Sequence, residues 1–173
     1  MPFFLPTDTC YGLAWEFTQD DYEAIYRLKG RDFSKPLAFL VEDYPDMKKY
    51  IEISDEQIEF LRNYPHPWSF LGVRNPEFSL PEFLDKSLYS KISLRVAKVC
   101  LWWLITDDMN WRYPFFLTSA NPSGLSEAQT YNEARNYFPE IEWINAWFCN
   151  QPPSDIFSLS QKGEIIYLRR NYT

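Results

Sequence analysis

The stretch LTSANPSG, residues 117–124, passes from strand-like residues into a run of small and turn-forming ones. In a chain that is 19% aromatic, this loss of bulk lets a ligand approach the backbone closely. Successive exposed N–H groups there could form an anion nest, and Ser119 and Asn121 would add side-chain donors. The plainer reading is a strand-to-turn connection, since Asn-Pro and Ser-Gly are turn signals. A second stretch, LKGRDFSKP (28–36), places Lys29, Arg31 and Lys35 around a helix end. Taken alone, these cations read first as solvated charges that offset a helix macrodipole. They also make a phosphate clamp, in which arginine supplies a planar fork of donors and lysine a point charge. A third, LPTDTCYGLA (5–14), follows a strand with Thr7, Asp8 and Thr9. These residues form either an Asx-type turn or a set of hydroxyls presented to a small polar substrate. Finally, Arg95 lies inside the apolar run SLRVA. A buried guanidinium is costly unless paired, so Arg95 is either salt-bridged within the fold or binds a carboxylate.

Other chemistries find no support. The phosphate-loop pattern G-x-x-x-x-G-K-[ST] and the dinucleotide pattern G-x-G-x-x-G are both absent. Cys10, Cys100 and Cys149 are far apart with no C-x-x-C, which argues against zinc and redox motifs. The single His66, between prolines in YPHPW, reads as a rigid turn and leaves no histidine cluster for a metal. Trp102, Trp103, Trp143 and Trp147 read as core, because a nucleic-acid platform would interleave aromatics with basic residues.

These groups must be positioned by a mixed set of elements. FFL (3–5), YGLAWEF (11–17), KPLAFLV (35–41), WSFLGVR (68–74), ISLRVA (92–97), YPFFLTS (113–119), EWINAWF (142–148), DIFSL (155–159) and EIIYLRR (164–170) predict strands. Helices are predicted over 18–30, with Thr18 as N-cap and Gly30 closing it, and over 54–64 and 130–138, each opened by a capping-box pattern. KVCLWWLITDD (98–108) predicts a buried helix, and residues 75–90 loop with a short helix. Interleaved strands and helices predict an α/β or α+β fold with a mixed sheet.

The 173 residues fit one domain with a sizeable core, and 46% hydrophobic content argues against disorder. A net charge of −7 disfavours non-specific nucleic-acid binding, which is driven by phosphate neutralisation. VCLWWLI (99–105) is too short to span a bilayer. Three scattered cysteines and no secretory pattern predict a reduced, cytoplasmic protein.

Taken in order, these segments resemble the YrdC-like family of threonylcarbamoyl-AMP synthases. PTDTCYGLA is similar to that family's P-T-D-T-x-Y-G-L signature, and LKGRDFSKPLAFLV to its K-G-R-x-x-x-K-P-L segment. YPHPWSFLG resembles W-P-G-P-x-T, SLRVA its R-V-P strand, and LTSANPSG its S-A-N-x-S-G loop. PPSDIFSL and IIYLRR resemble the P-S-T and L-R-x-G ending. The resemblance implies a single α/β domain over 1–173: a twisted open mixed sheet with flanking helices and a large concave cavity. It implies the short form, with little ahead of the signature and no additional C-terminal domain.

The resemblance also implies an activity. L-threonine, bicarbonate and ATP, with Mg²⁺ accompanying the nucleotide, would give threonylcarbamoyl-AMP and pyrophosphate. A partner enzyme would then transfer the threonylcarbamoyl group to an adenosine of tRNA. The family's nucleotide-site K-x-R and S-x-N residues fall on Lys29, Arg31, Ser119 and Asn121, with Lys35 and Arg169 as further ATP-binding positions. Thr9, Arg95 and Ser154 match threonine-holding positions, and no residue is expected to bind a metal directly except, at most, Asp8. The acidic charge speaks against tight direct RNA contact, and no membrane contact is expected. The chain departs from the pattern at Cys10, His66 and Ala97, where the family has Val, Gly and Pro, and at Asn171 in the L-R-x-G ending. Alternatives are a carbamoyl-transfer paralogue, as in hydrogenase maturation, and a non-catalytic nucleotide- or RNA-binding module.

Overall fold

The computed structural model describes residues 3–101, 112–141 and 151–172. Within them, eight strands form one sheet in the order β1-β2-β6-β3-β5-β4-β7-β8. The strands are β1 (Phe3–Pro6), β2 (Tyr11–Glu16), β3 (Ala38–Val41), β4 (Trp68–Val73), β5 (Lys91–Val96), β6 (Phe115–Ser119), β7 (Asp155–Leu159) and β8 (Ile165–Arg169). The β3–β5 and β4–β7 pairs are parallel and the rest antiparallel, so the sheet is mixed and open. The predicted strand over 142–148 and most of the predicted helix over 98–108 lie outside the described residues. The described start of that helix is one turn, α4 (Ala97–Cys100).

The helices begin and end where the sequence places its caps. Thr18 accepts a hydrogen bond from the Asp21 N–H at the start of α1 (Gln19–Lys29), and Gly30 closes it with φ 58°. A Cβ is disfavoured in that left-handed conformation, which accounts for glycine there. Ser54 with Gln57 opens α3 (Asp55–Asn63), and Thr130 with Glu133 opens α5 (Tyr131–Tyr137), each as a reciprocal capping box. A 3₁₀ turn (Tyr44–Asp46) running into α2 (Met47–Tyr50) has no counterpart in the predicted elements. Its signal was local: Asp43 and Asp46 form a capping box around Pro45. The predicted short helix within 75–90 is a 3₁₀ turn at Leu88–Ser90.

Strand alternation divides the sheet into two faces. Leu13, Trp15, Phe39, Phe70, Ile92, Leu94, Phe116 and Phe157 point to one side and bury the main core. That core is built largely from aromatic rings, such as Phe39 stacked on Tyr89 at 5.6 Å between centroids. On the opposite face, Ala14, Leu40, Phe115 and Leu117 pack under Ala97, Cys100 and Leu101. The remainder of that face carries Gly12, Ala38, Ser69, Ser93 and Arg95, and it stays open as a concave cavity. The small and polar positions of β2, β3, β4 and β5 therefore make the floor of the site.

Candidate functional site

The cavity has a volume of about 380 Å³. It brings Thr9, Arg31, Arg95, Ser119, Ser154 and Arg169 to one surface, although they come from six separate parts of the chain. Of the other proposed site residues, Lys29 and Asn121 are buried just behind the wall and Lys35 is exposed outside it. Thr7, read in the sequence with Thr9 as a candidate substrate-facing hydroxyl, lines the cavity too, and Ser69 and Glu127 line it without having been singled out as binding residues. The serines Ser69 and Ser93 were detectable as the polar members of the alternating strands WSFLGVR and ISLRVA.

At one end of the cavity, α1 delivers Lys29 against the loop that follows β6. Lys29 is only 3% exposed, which rules out the solvated helix-end charge as its role. Its ammonium donates to the Ser119 carbonyl and to Asn121 Oδ1 at 3.4 Å. Its own carbonyl accepts from the Ser123 N–H at 2.8 Å. Burial, and then the charge of Arg31, push its pKa down from 10.5 to about 7. Arg27, by contrast, is a solvated charge of the expected kind, paired with Glu23 one turn away.

The small-residue loop corrects one expectation. Its backbone N–H groups are not a free nest. Those of Ala120, Asn121, Ser123 and Leu125 donate to Tyr11, Ser119, Lys29 and Pro122 carbonyls respectively, and Pro122 has none. The Asn121 amide is spent inside the loop, on the carbonyls of Leu125 at 2.6 Å and Pro122 at 3.1 Å. Ser119 Oγ donates to Asn121 Oδ1 at 2.6 Å. The small side chains thus let the loop close on itself, over Lys29, and Ser119 is its member at the cavity wall. Arg31 reaches the cavity braced by bonds from Nε to the Lys35 carbonyl and from Nη2 to the Pro36 carbonyl, both 3.1 Å.

At the other end, Arg95 is buried and ion-paired to Asp8. Burial opposes its charge, and the Asp8 carboxylate more than offsets that, raising the guanidinium's pKa. Both sequence readings of Arg95 therefore meet in one residue: it is paired within the fold and it lines the cavity. Its Nε is buried with no hydrogen-bond partner among the described residues, an unusual state for a native polar atom. Thr7 and Thr9 stand beside it, their hydroxyl oxygens 3.1 Å apart. Ser154 Oγ meets Ser69 Oγ at 3.1 Å, and the Ser154 carbonyl receives Arg169 Nε and Nη2 at 3.0 and 2.8 Å. The fully buried Asp155 fixes this corner by accepting from the Tyr64 hydroxyl and the Asn171 N–H, both at 2.6 Å. Asn171 adds a bond from its side chain to the Pro153 carbonyl at 2.8 Å, a brace that glycine could not supply.

Among the described residues, the cysteines and acids carry no independent centre. Burial pushes the thiols of Cys10 and Cys100 up to about 11 and about 12, so neither is a thiolate nucleophile. Among the described residues, no three His, Cys, Asp or Glu side chains cluster to hold a metal, and Asp8 is committed to Arg95. Mg²⁺ that arrives with a nucleotide is held largely through phosphates and water and needs no such cluster. His66 sits in the bend before β4, its ring stacked on Tyr172 at 4.8 Å. No helix among the described residues is long and apolar enough to cross a membrane.

An open mixed α/β sheet with an arginine-lined hollow on one face defines the class of fold. The chain belongs to the Sua5/YciO/YrdC family, whose profile, described as "Telomere recombination", matches residues 2–171. It is 26% identical over 144 residues to the threonylcarbamoyl-AMP synthase of Mus musculus, covering 81% of this chain and 49% of that protein. The chain spans about half the length of the curated relatives it matches. Among solved structures, full-length HypF in a phosphate- and nucleotide-bound form superposes with a TM-score of 0.80 at 20% identity, over 98% of this chain and 26% of HypF. YciO of E. coli superposes with a TM-score of 0.73 at 18% identity, over 97% of this chain and 82% of YciO. At these identities the two structures establish the shared fold.

Proposed function

We propose that this chain is an L-threonylcarbamoyladenylate synthase, a nucleotidyltransferase that makes threonylcarbamoyl-AMP and pyrophosphate from L-threonine, bicarbonate and ATP. The observation that carries the reading is the gathering of Arg31, Arg95 and Arg169 with the hydroxyls of Thr9, Ser119 and Ser154 in one cavity. Ser119 is held there by Lys29 behind it. The carboxylate of an amino acid and the phosphates of a nucleotide are both anionic groups, and the reaction must hold them side by side. The names of the curated relatives support the same activity.

In this reading Arg95, Thr9 and Ser154 hold threonine, Arg31 and Ser119 face the nucleotide, and Arg169 reaches toward the nucleotide from the Ser154 corner, to whose carbonyl it is bonded. Lys29 and Asn121 act from behind the wall by shaping the loop that presents Ser119. Lys35 lends Arg31 its carbonyl and remains free to reach phosphate from outside. The threonine amine attacks the carbonyl carbon of bicarbonate or carbon dioxide, giving a carbamate with loss of water or a proton. A carbamate oxygen then attacks the α-phosphorus in line. The new O–P bond forms as the bond to the β-phosphate bridging oxygen breaks, and pyrophosphate leaves with that electron pair. Such a step asks the protein for positioning and for charge stabilisation rather than for a nucleophile. Mg²⁺ bound to the nucleotide would offset phosphate charge. A separate enzyme would transfer the group to an adenosine of tRNA. With a net charge of −7, direct RNA binding forms no part of the proposal. Two buried, unpaired cysteines suit a reducing compartment, and the cytoplasm is the proposed location.

Mass spectrometry of a reaction with isotopically labelled bicarbonate tests this directly. The product should be threonylcarbamoyl-AMP carrying the label. ATP binding without any labelled adenylate would instead favour a binding module, and a labelled product that does not require threonine would favour a carbamoyl-transfer paralogue.

A further inference from the structure

One group in the cavity wall has no task in the reaction as described. Glu127 is the only carboxylate among the described residues that line the cavity. It is half-buried, and no described residue gives it a hydrogen bond or an ion pair. Its backbone position is fixed by its neighbour. The Ala128 N–H donates to the Ala120 carbonyl at 3.3 Å, and the Ala128 carbonyl accepts from the Tyr11 N–H at 2.9 Å. These bonds fasten the segment to β2 and to the loop after β6, so Glu127 is held at the wall rather than on a free tip.

The surrounding charges define where its carboxylate acts. The Cys10 thiol lies within electrostatic reach of both Arg95 and Glu127. Cys10, Arg95 and Glu127 all line the same cavity. The neighbouring cations are already engaged: Arg31 on the carbonyls of Lys35 and Pro36, Arg169 on that of Ser154, and Lys29 on Ser119 and Asn121. The other acid of this region, Asp8, is tied to Arg95. Glu127 also lies within electrostatic reach of Lys29 but forms no ion pair with it, and a carboxylate without a hydrogen-bonded cation in a partly desolvated hollow favours a ligand that brings its own positive charge.

We propose that Glu127 receives the α-ammonium group of the amino-acid substrate while Arg95 holds its carboxylate. This rests on the reading of the cavity as an amino-acid site. A zwitterion requires both signs of charge, and Arg95 with the threonine-proximal hydroxyls supplies only one. Glu127 is thereby the residue that separates an amino acid from the corresponding hydroxy or plain carboxylic acid. It also orients the nitrogen, which releases a proton to solvent to become the attacking amine, and it takes no part in bond making.

The test uses the full chain with two ligands: L-threonine and 3-hydroxybutyrate, which has the same carbon skeleton without the amine. Binding is followed by calorimetry, or by ligand-observed NMR where it is weak. Glu127→Gln keeps the shape and removes the charge, and Glu127→Asp keeps the charge on a shorter arm. Circular dichroism and melting confirm that both variants fold. Glu127→Gln should weaken L-threonine binding by about ten- to a hundredfold and leave 3-hydroxybutyrate and ATP binding unchanged, with Glu127→Asp recovering part of the loss. Threonine binding equal to wild type in Glu127→Gln would overturn the assignment, as would an equal loss for both acids. A wild-type protein that binds no threonine would instead overturn the reading of the cavity and take this assignment with it, so the unsubstituted protein tells the two failures apart.

Discussion

Lys29 and Ser119, 90 residues apart in sequence, are joined by a hydrogen bond from the lysine ammonium to the serine carbonyl. That bond, with the return bond from the Ser123 N–H to the Lys29 carbonyl, sews the end of α1 to the small-residue loop. The loop's small side chains serve this closure first, and the closure places Ser119 at the cavity wall.

The buried lysine has a consequence for stability. Its pKa in the fold, about 7, lies below the 10.5 of the free side chain because burial and the nearby Arg31 disfavour its charge. A group depressed in this way contributes stability that is present above its unfolded pKa and is lost as pH falls through its folded one. As the neutral amine it still has two N–H donors for its two acceptors. Wild type should therefore gain melting temperature relative to Lys29→Met as pH rises from about 7 to about 9. A difference that stays flat over that range would contradict a buried lysine without a carboxylate partner.

The Arg95–Asp8 pair should show strong coupling. Arg95 is 9% exposed at its side chain and Asp8 18%, so removing Asp8 strands the more deeply buried charge. Loss of one partner from such a pair costs about 3–5 kcal/mol. Urea unfolding should show Asp8→Ala as the more destabilising change and Arg95→Met as the lesser. The double variant should lose clearly less than the sum of the two, whereas simple additivity would mean that the pair is not coupled.

Much of this architecture could be read from the sequence, because its signals are local. Thr18, Ser54 and Thr130 cap helices where their spacing to Asp21, Gln57 and Glu133 places them. The alternation in SLRVA puts Arg95 on the face opposite Leu94, and the same period exposes Ser69 beneath it. What the sequence left open depends on long-range partners. Whether Arg95 is paired within the fold or open to a ligand turns on Asp8, 87 residues earlier. Whether Lys29 is solvated or buried turns on the loop at 119–123. The free nest expected there fails for the same reason, since its N–H groups find carbonyls in Tyr11 and Lys29 that no local pattern reveals. Glu127 escaped notice because it stands alone, outside any motif, and its significance comes only from the cavity around it.

Close packing beneath the cavity floor gives a third prediction. A Cβ added at Gly72 in β4 would lie 2.5 Å from Ile51 Cδ1 and 2.9 Å from Ile51 Cβ. Ile51 is fully packed and bridges to Arg74, so it has little room to yield. Gly72→Ala should destabilise the fold by about 1–3 kcal/mol through overpacking, read as a lower urea midpoint with an unchanged slope. A variant as stable as wild type would show that Ile51 can move aside.

The most direct test of the proposed activity is pyrophosphate release from ATP in the presence of bicarbonate and Mg²⁺, with and without L-threonine, and with L-serine as the comparison. Release that depends on L-threonine, and that falls sharply in Arg95→Met, is the predicted result. Release that proceeds equally without threonine, or no release from a folded protein that binds ATP, would contradict it.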